Sequence, residues 1–276
     1  MVSYPSTALA MGEAIQHGKL DPIMLTRQCL AAAKESDAVF ISLTSERAMF
    51  EAAAAARRQA QGASLGPLDG VPIAWKDLFD IAGAVTTAGS RVLTEKPAMY
   101  DATAVRHATA AGMVCLGKTN LTELAYSGLG LNPHYGTPHH TPGQGEPRVP
   151  GGSSSGSAVA VAKGIVPAAI GTDTAGSLRV PAAFNGLASY RPSQARHSRQ
   201  GVTPLAHSLD TIGVIANSLE DCLAIDDVMR GEEVTTRERA DPERTVIVLD
   251  TAYLDDERIE EGVRKNLERS AEQLSN

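Results

Sequence analysis

Apolar residues along the chain fall alternately at helical spacing and in short solid blocks, and this rhythm sets the expected order of elements. Thr7 to Gly18 reads as a helix. Asp21-Pro22 opens a second one, with a capping carboxylate followed by a proline that fits the first turn. Val39 to Leu43 reads as a strand, and Ser45 is expected to cap an alanine-rich helix running to about Gly62. Gly70 to Leu78 reads as a buried strand carrying a single lysine, Lys76, and Met113 to Gly117 as another, preceded by an alanine-rich helix. Ile212 to Ala216 adds a strand. Ser218-Leu219-Glu220-Asp221 approximates a capping box that starts a helix ending near Gly231. Beyond a charged stretch, Thr245 to Leu249 reads as one further strand, and a charge-laced amphipathic helix runs from Asp255. Strands separated by helices imply an α/β protein.

Composition narrows the classes of function. With 276 residues and 43% hydrophobic content, the chain can bury one sizeable core or two small ones. Its 32 acidic against 25 basic residues, with no basic stripe, argue against general nucleic-acid binding. Cys29, Cys115 and Cys222 are odd in number and far apart, so neither a disulfide framework nor a zinc site is expected. No segment is apolar enough to span a membrane and no secretory leader precedes Leu20, which leads to the expectation of a cytoplasmic protein without a membrane partner. His134, His139 and His140 lie in a Gly- and Pro-rich loop between Ser127 and Pro150, with no carboxylate spaced to complete a metal site. No metal and no cofactor are expected.

The chemistry concentrates between Gly151 and Pro181. Gly151-Gly152-Ser153-Ser154-Ser155-Gly156 and Thr172-Asp173-Thr174-Ala175-Gly176-Ser177 place two glycine-cradled serines near one another in sequence. A serine hydroxyl is a weak nucleophile at neutral pH, so a catalytic serine needs a base and donors aimed at the developing oxyanion. Small residues at Ala175 and Gly176 let backbone N–H groups approach a carbonyl, and the apolar run after Ser177 suggests a helix N-terminus, with Pro181 in its first turn. Each cluster is also readable as a tight turn, or the first as a linker. Lys76 beside Trp75 is a candidate base if burial lowers its pKa, or alternatively a snorkelling lysine paired with Asp77.

Taken together, these residues resemble the amidase signature family: an upstream Lys-Asp on a strand, a Gly-Gly-Ser-Ser cluster, and a Gly-Thr-Asp-x-Gly-Gly-Ser-φ-Arg-x-Pro segment (φ apolar) occur in that order. Leu68-Asp69-Gly70-Val71-Pro72, Gly117-Lys118-Thr119-Asn120-Leu121, Ser198-Arg199-Gln200-Gly201 and Ser208-Leu209-Asp210-Thr211 extend the similarity over nearly the whole chain. The resemblance implies a mixed β-sheet core flanked by α-helices on both faces, in a single domain over residues 1–276. It implies Ser177 as the acyl-forming nucleophile, Ser153 as a cis-serine proton shuttle, Lys76 as the base, and an oxyanion hole from the N–H groups of Thr174, Ala175, Gly176 and Ser177. Tyr126, Gly128 and Ser154 are expected to border the substrate, and Asp173 to pair locally with Arg179.

The implied activity is hydrolysis of a small carboxamide. The alternatives are the glutamine-hydrolysing subunit of a tRNA-dependent amidotransferase, or an inactive remnant serving as an interaction module. Ala175 and Ser155 stand where relatives carry glycine, and Leu187 to Pro192 departs from the usual Gly-Leu-Lys-Pro run. Relatives are longer at the C-terminus, so the domain is expected to be incomplete there, with a second copy or a partner chain covering what the missing portion would cover.

Overall fold

The computed structural model describes residues 4–275 apart from 94–95, 140–147, 239, 242–243, 247, 249–251 and 253–255. It separates into two compact units, Met1–Thr235 and Thr236–Asn276. The first holds α1 (Ala8–Gln16), α2 (Pro22–Glu35), β1 (Phe40–Leu43), α3 (Ser45–Ala60), β2 (Pro72–Lys76), α4 (Thr103–Ala110), β3 (Val114–Thr119), α5 (Ser155–Ala162), β4 (Ala168–Asp173), α6 (Arg179–Phe184), β5 (Ala188–Tyr190), β6 (Thr211–Ala216) and α7 (Leu219–Arg230). The second contains α8 (Glu261–Ser275). The strand expected over 245–249 falls partly outside the described residues, as do Asp255 and His140.

The six strands form one mixed sheet in the order β1-β3-β2-β4-β6-β5. β2 runs parallel to both β3 and β4, while β1, β6 and β5 join antiparallel. β2, β3, β4 and β6 are buried at every position, as expected of strands covered on both faces, and the edge strands β1 and β5 are half-buried. Because successive side chains point to opposite faces, β3 shows both layers. Thr119 meets Ser157 of α5 at 2.7 Å, while Lys118 on the other face donates to the Phe79 carbonyl at 2.8 Å. The bulge that puts Leu116 outside the β2–β3 register is made at Gly117, where φ is +153° and a Cβ would stand 2.5 Å from the Ser42 carbonyl.

Local signals settle most helix starts. Asp21 accepts from Ile23 N–H at 2.7 Å with Pro22 in the first turn, and Gly231 ends α7 at φ +77°. Two expectations change. Ser45 is the first helical residue, and the cap position belongs to Thr44, whose hydroxyl donates instead to the Cys115 carbonyl at 2.8 Å and anchors α3 to β3. The capping box at Ser218 is only half made: Ser218 Oγ accepts from Asp221 N–H at 3.1 Å, but the Asp221 carboxylate turns away to take the Ala8 and Leu9 N–H groups at 2.9 and 3.0 Å. It thereby caps α1 from 213 residues away.

Candidate active site

Lys76 ends β2 and has no exposed surface. Its Nζ donates to Ser153 Oγ and to Thr172 Oγ1, each at 2.8 Å. Burial lowers its pKa to about 7, against the opposing fields of Asp173 and Asp210. The pairing with Asp77 does not form, because neighbouring residues at the end of a strand project to opposite faces. Asp77 instead meets Lys118 Nζ at 2.8 Å, with both side chains fully buried.

The two serines are brought together by backbone. Ser154 N–H donates to the Ser177 carbonyl at 3.2 Å, Thr122 N–H to the Ser153 carbonyl at 3.1 Å, and Gly152 N–H to the Gly128 carbonyl at 2.8 Å. The Gly152–Ser153 peptide is cis. Glycine at 152 answers a packing demand, since a Cβ there would lie 2.6 Å from Gly130 N and 2.8 Å from Thr122 Oγ1. Ser153 is wholly buried on Lys76, while Ser177 is half-buried in the turn between β4 and α6.

Asp173 builds that turn. Its carboxylate accepts from Gly176 N–H at 2.7 Å, Leu178 N–H at 3.2 Å, and Arg179 Nε and Nη2 at 3.0 Å each, with Arg191 Nε 3.3 Å away. Although burial works to raise its pKa, these donors hold the carboxyl below the usual range. The local Asp173–Arg179 pair read from the sequence is therefore present, and it has a consequence for the expected oxyanion donors. Gly176 N–H is engaged by Asp173, whereas those of Thr174, Ala175 and Ser177 have no acceptor among the described residues.

A cleft of 540 Å³ opens over Ser177. Ala125, Tyr126, Ser127 and Gly128 form part of its lining, with Gly152, the turn 174–177, Val180, Leu205 and Ala206, so no charged side chain lines it among the described residues. Tyr126 is 80% exposed. Ser154 is buried, its hydroxyl donating to the Thr172 carbonyl at 3.3 Å, and it is absent from the cleft lining.

Sequence reading gave no role to Thr172 or to Asp210, which accepts from Thr174 Oγ1 at 2.6 Å. Thr172 was within reach of strand alternation once Gly171 to Asp173 was placed on β4; Asp210 lies 36 residues from Thr174, and no local pattern links them. His134 Nε2 lies 2.9 Å from Glu123 Oε1, and no cluster able to hold a metal occurs among the described residues. All three cysteines are buried and free, their thiols pushed up to about 12 chiefly by burial.

A family model described as Amidase matches residues 24–274. Among curated proteins the chain is similar to a glutamyl-tRNA(Gln) amidotransferase subunit of Cupriavidus necator, 46% identical over 209 residues, which cover 75% of this chain and 41% of that protein. It is also similar to the protein of the same name from Chloroflexus aurantiacus, 42% identical over 231 residues, covering 82% and 47%. An amidase crystal structure superposes with a TM-score of 0.85 at 34% identity, covering 97% of this chain and 61% of that one. The native peptide amidase of Stenotrophomonas maltophilia gives 0.78 at 32%, covering 99% and 61%. The chain spans less than half the length of the curated relatives it matches.

Proposed function

The chain belongs to the amidase family, and on that premise we propose that it hydrolyses the C–N bond of a small carboxamide through an acyl-enzyme on Ser177. The observation that carries this reading is the buried Lys76 at 2.8 Å from Ser153 Oγ, with the next residue's N–H bonded to the Ser177 backbone. A lysine whose pKa lies near 7 is substantially neutral at physiological pH. Such an amine keeps two hydrogens and one lone pair, enough to donate to Thr172 Oγ1 and accept from the Ser153 hydroxyl.

In the proposed cycle, Ser177 Oγ bonds to the amide carbon and its proton passes to Ser153 Oγ, whose own proton goes to Lys76 Nζ. The carbonyl oxygen takes the negative charge and is held by the free N–H groups of Thr174, Ala175 and Ser177. Collapse breaks the C–N bond, and the proton returns through Ser153 to the leaving amine or ammonia. Water then attacks the ester carbon, giving up its proton through Ser153 to Lys76; the bond to Ser177 Oγ breaks, Ser177 takes that proton back through the relay, and the carboxylic acid leaves. Tyr126 and Gly128 border the acyl group in this reading.

A second reading, supported by the name shared by the curated relatives at 41–46% identity, is that of a glutamine-hydrolysing component working with partner chains on a tRNA-bound substrate. A partner or a second copy accords with the exposed Leu124, Tyr126 and Leu131 beside the cleft. Ammonia release by the chain alone from simple carboxamides favours the first reading; release from glutamine only when a partner chain is added favours the second. Both share Ser177. Treating the folded protein with an alkyl fluorophosphonate and weighing it intact is expected to show one adduct, lost in Ser177→Ala. An unmodified mass for the native chain overturns the hydrolase reading and leaves a non-catalytic interaction module.

A further inference from the structure

Asp210 stands immediately before β6 and is 7% exposed. Besides the Thr174 hydroxyl at 2.6 Å, its carboxylate accepts from Leu205 N–H at 2.9 Å and from Ala206 N–H at 3.0 and 3.1 Å. Its own N–H donates to the Ala206 carbonyl at 2.9 Å. Thr174 belongs to the oxyanion turn, and Leu205 and Ala206 line the cleft. One carboxylate therefore fixes two segments of the cleft against each other, although they are about 30 residues apart in the chain.

The charge balance around Lys76 sets this carboxylate apart. On the Lys76 face, Thr119, Ser153 and Thr172 are uncharged neighbours, and the fields that reach the ammonium are those of Asp173 and Asp210. Asp173 is matched by Arg179 and Arg191. Asp77 and Lys118 compensate one another on the far face of the sheet. Asp210 has no ion-pair partner among the described residues; Arg199 and His207 border the same 40 Å³ cavity, and the Arg199 guanidinium donates to the His207 carbonyl. The unmatched negative charge near the base is that of Asp210.

We propose that Asp210 is a positioning residue of this site, locking the Thr174 turn to the Leu205–Ala206 segment and placing an uncompensated carboxylate on the cavity it shares with Thr172, the hydroxyl that Lys76 contacts. The proposal rests on the hydrolase reading of Ser177. It separates two duties, and two variants divide them: Thr174→Val removes the hydroxyl link and leaves the charge, while Asp210→Asn removes the charge and keeps an oxygen for the Leu205 and Ala206 amides.

The readout is the rate at which an alkyl fluorophosphonate labels Ser177 across pH 5 to 9. In that reaction a P–O bond forms, P–F breaks, fluoride leaves, and the serine proton passes to the Lys76 relay. In the native protein the rate is expected to rise with pH through a midpoint near 7. Asp210→Asn is expected to move that midpoint down by about half a pH unit or more, the effect of one partly screened charge. Thr174→Val is expected to slow labelling about tenfold through loss of one aligning hydrogen bond, with the midpoint unmoved. A midpoint in Asp210→Asn equal to the native one, or moved equally by Thr174→Val, overturns the role of Asp210 while leaving the serine chemistry standing. Failure of the native chain to label overturns the hydrolase reading, and this role with it.

Discussion

Two buried lysines, Lys76 and Lys118, occupy adjacent strands and yet have opposite prospects. Burial lowers both pKa values, but Lys118 has Asp77 at 2.8 Å to hold its proton, whereas Lys76, among the described residues, has only hydroxyls within hydrogen-bond reach and two carboxylates acting at longer range. The consequences of substitution differ accordingly. Lys76→Ala is expected to slow Ser177 labelling by roughly 10²- to 10⁴-fold, the usual span for loss of a general base, with the protein still folded by circular dichroism. Lys118→Ala strands the Asp77 carboxylate in the interior, and urea titration is expected to show a loss of about 3–5 kcal/mol. The expected sign of the pH dependence follows from the depressed value: below about pH 7 Lys76 takes up a proton and has no lone pair left to accept from Ser153, so the labelling rate is expected to fall with acid.

Among the elements, those with local signals were legible. The Asp21-Pro22 start, the Gly231 stop, and the strands of Val39–Leu43 and Ile212–Ala216 follow from capping chemistry and apolar blocks, and the structure has them within a residue or two. β5 escaped because three half-buried residues carry too little periodicity to register. The caps of α1 and α3 show a different limit. Thr44 and Asp221 spend their side chains on distant backbone, which no local rule predicts. Asp221→Ala is expected to free two N–H groups of α1 and to lower stability by about 2 kcal/mol, the scale of a hydrogen-bonded charge at a helix start. Thermal unfolding several degrees below the native midpoint would register it.

For the whole molecule, Lys76, Ser153, Ser177 and every residue lining the cleft lie in the Met1–Thr235 unit. Trypsin under native conditions, cutting after exposed Arg237 or Arg244, is expected to leave an N-terminal fragment that still carries a fluorophosphonate label on Ser177. Loss of the label with the cut would assign the second unit a part in the site. The sequence alone determined the alternation of strands and helices and the glycines around the two serine turns, because residue type, spacing and turn chemistry are local properties; it singled out Lys76, Ser153 and Ser177 only through the order of motifs shared with the amidase signature family. Tertiary structure decided which lysine lost a counter-ion, which N–H of the 174–177 turn was already engaged, and that Asp210 reaches Thr174. Those depend on which strand end meets which turn across the sheet order β1-β3-β2-β4-β6-β5, and burial and charge compensation exist only after that meeting has occurred.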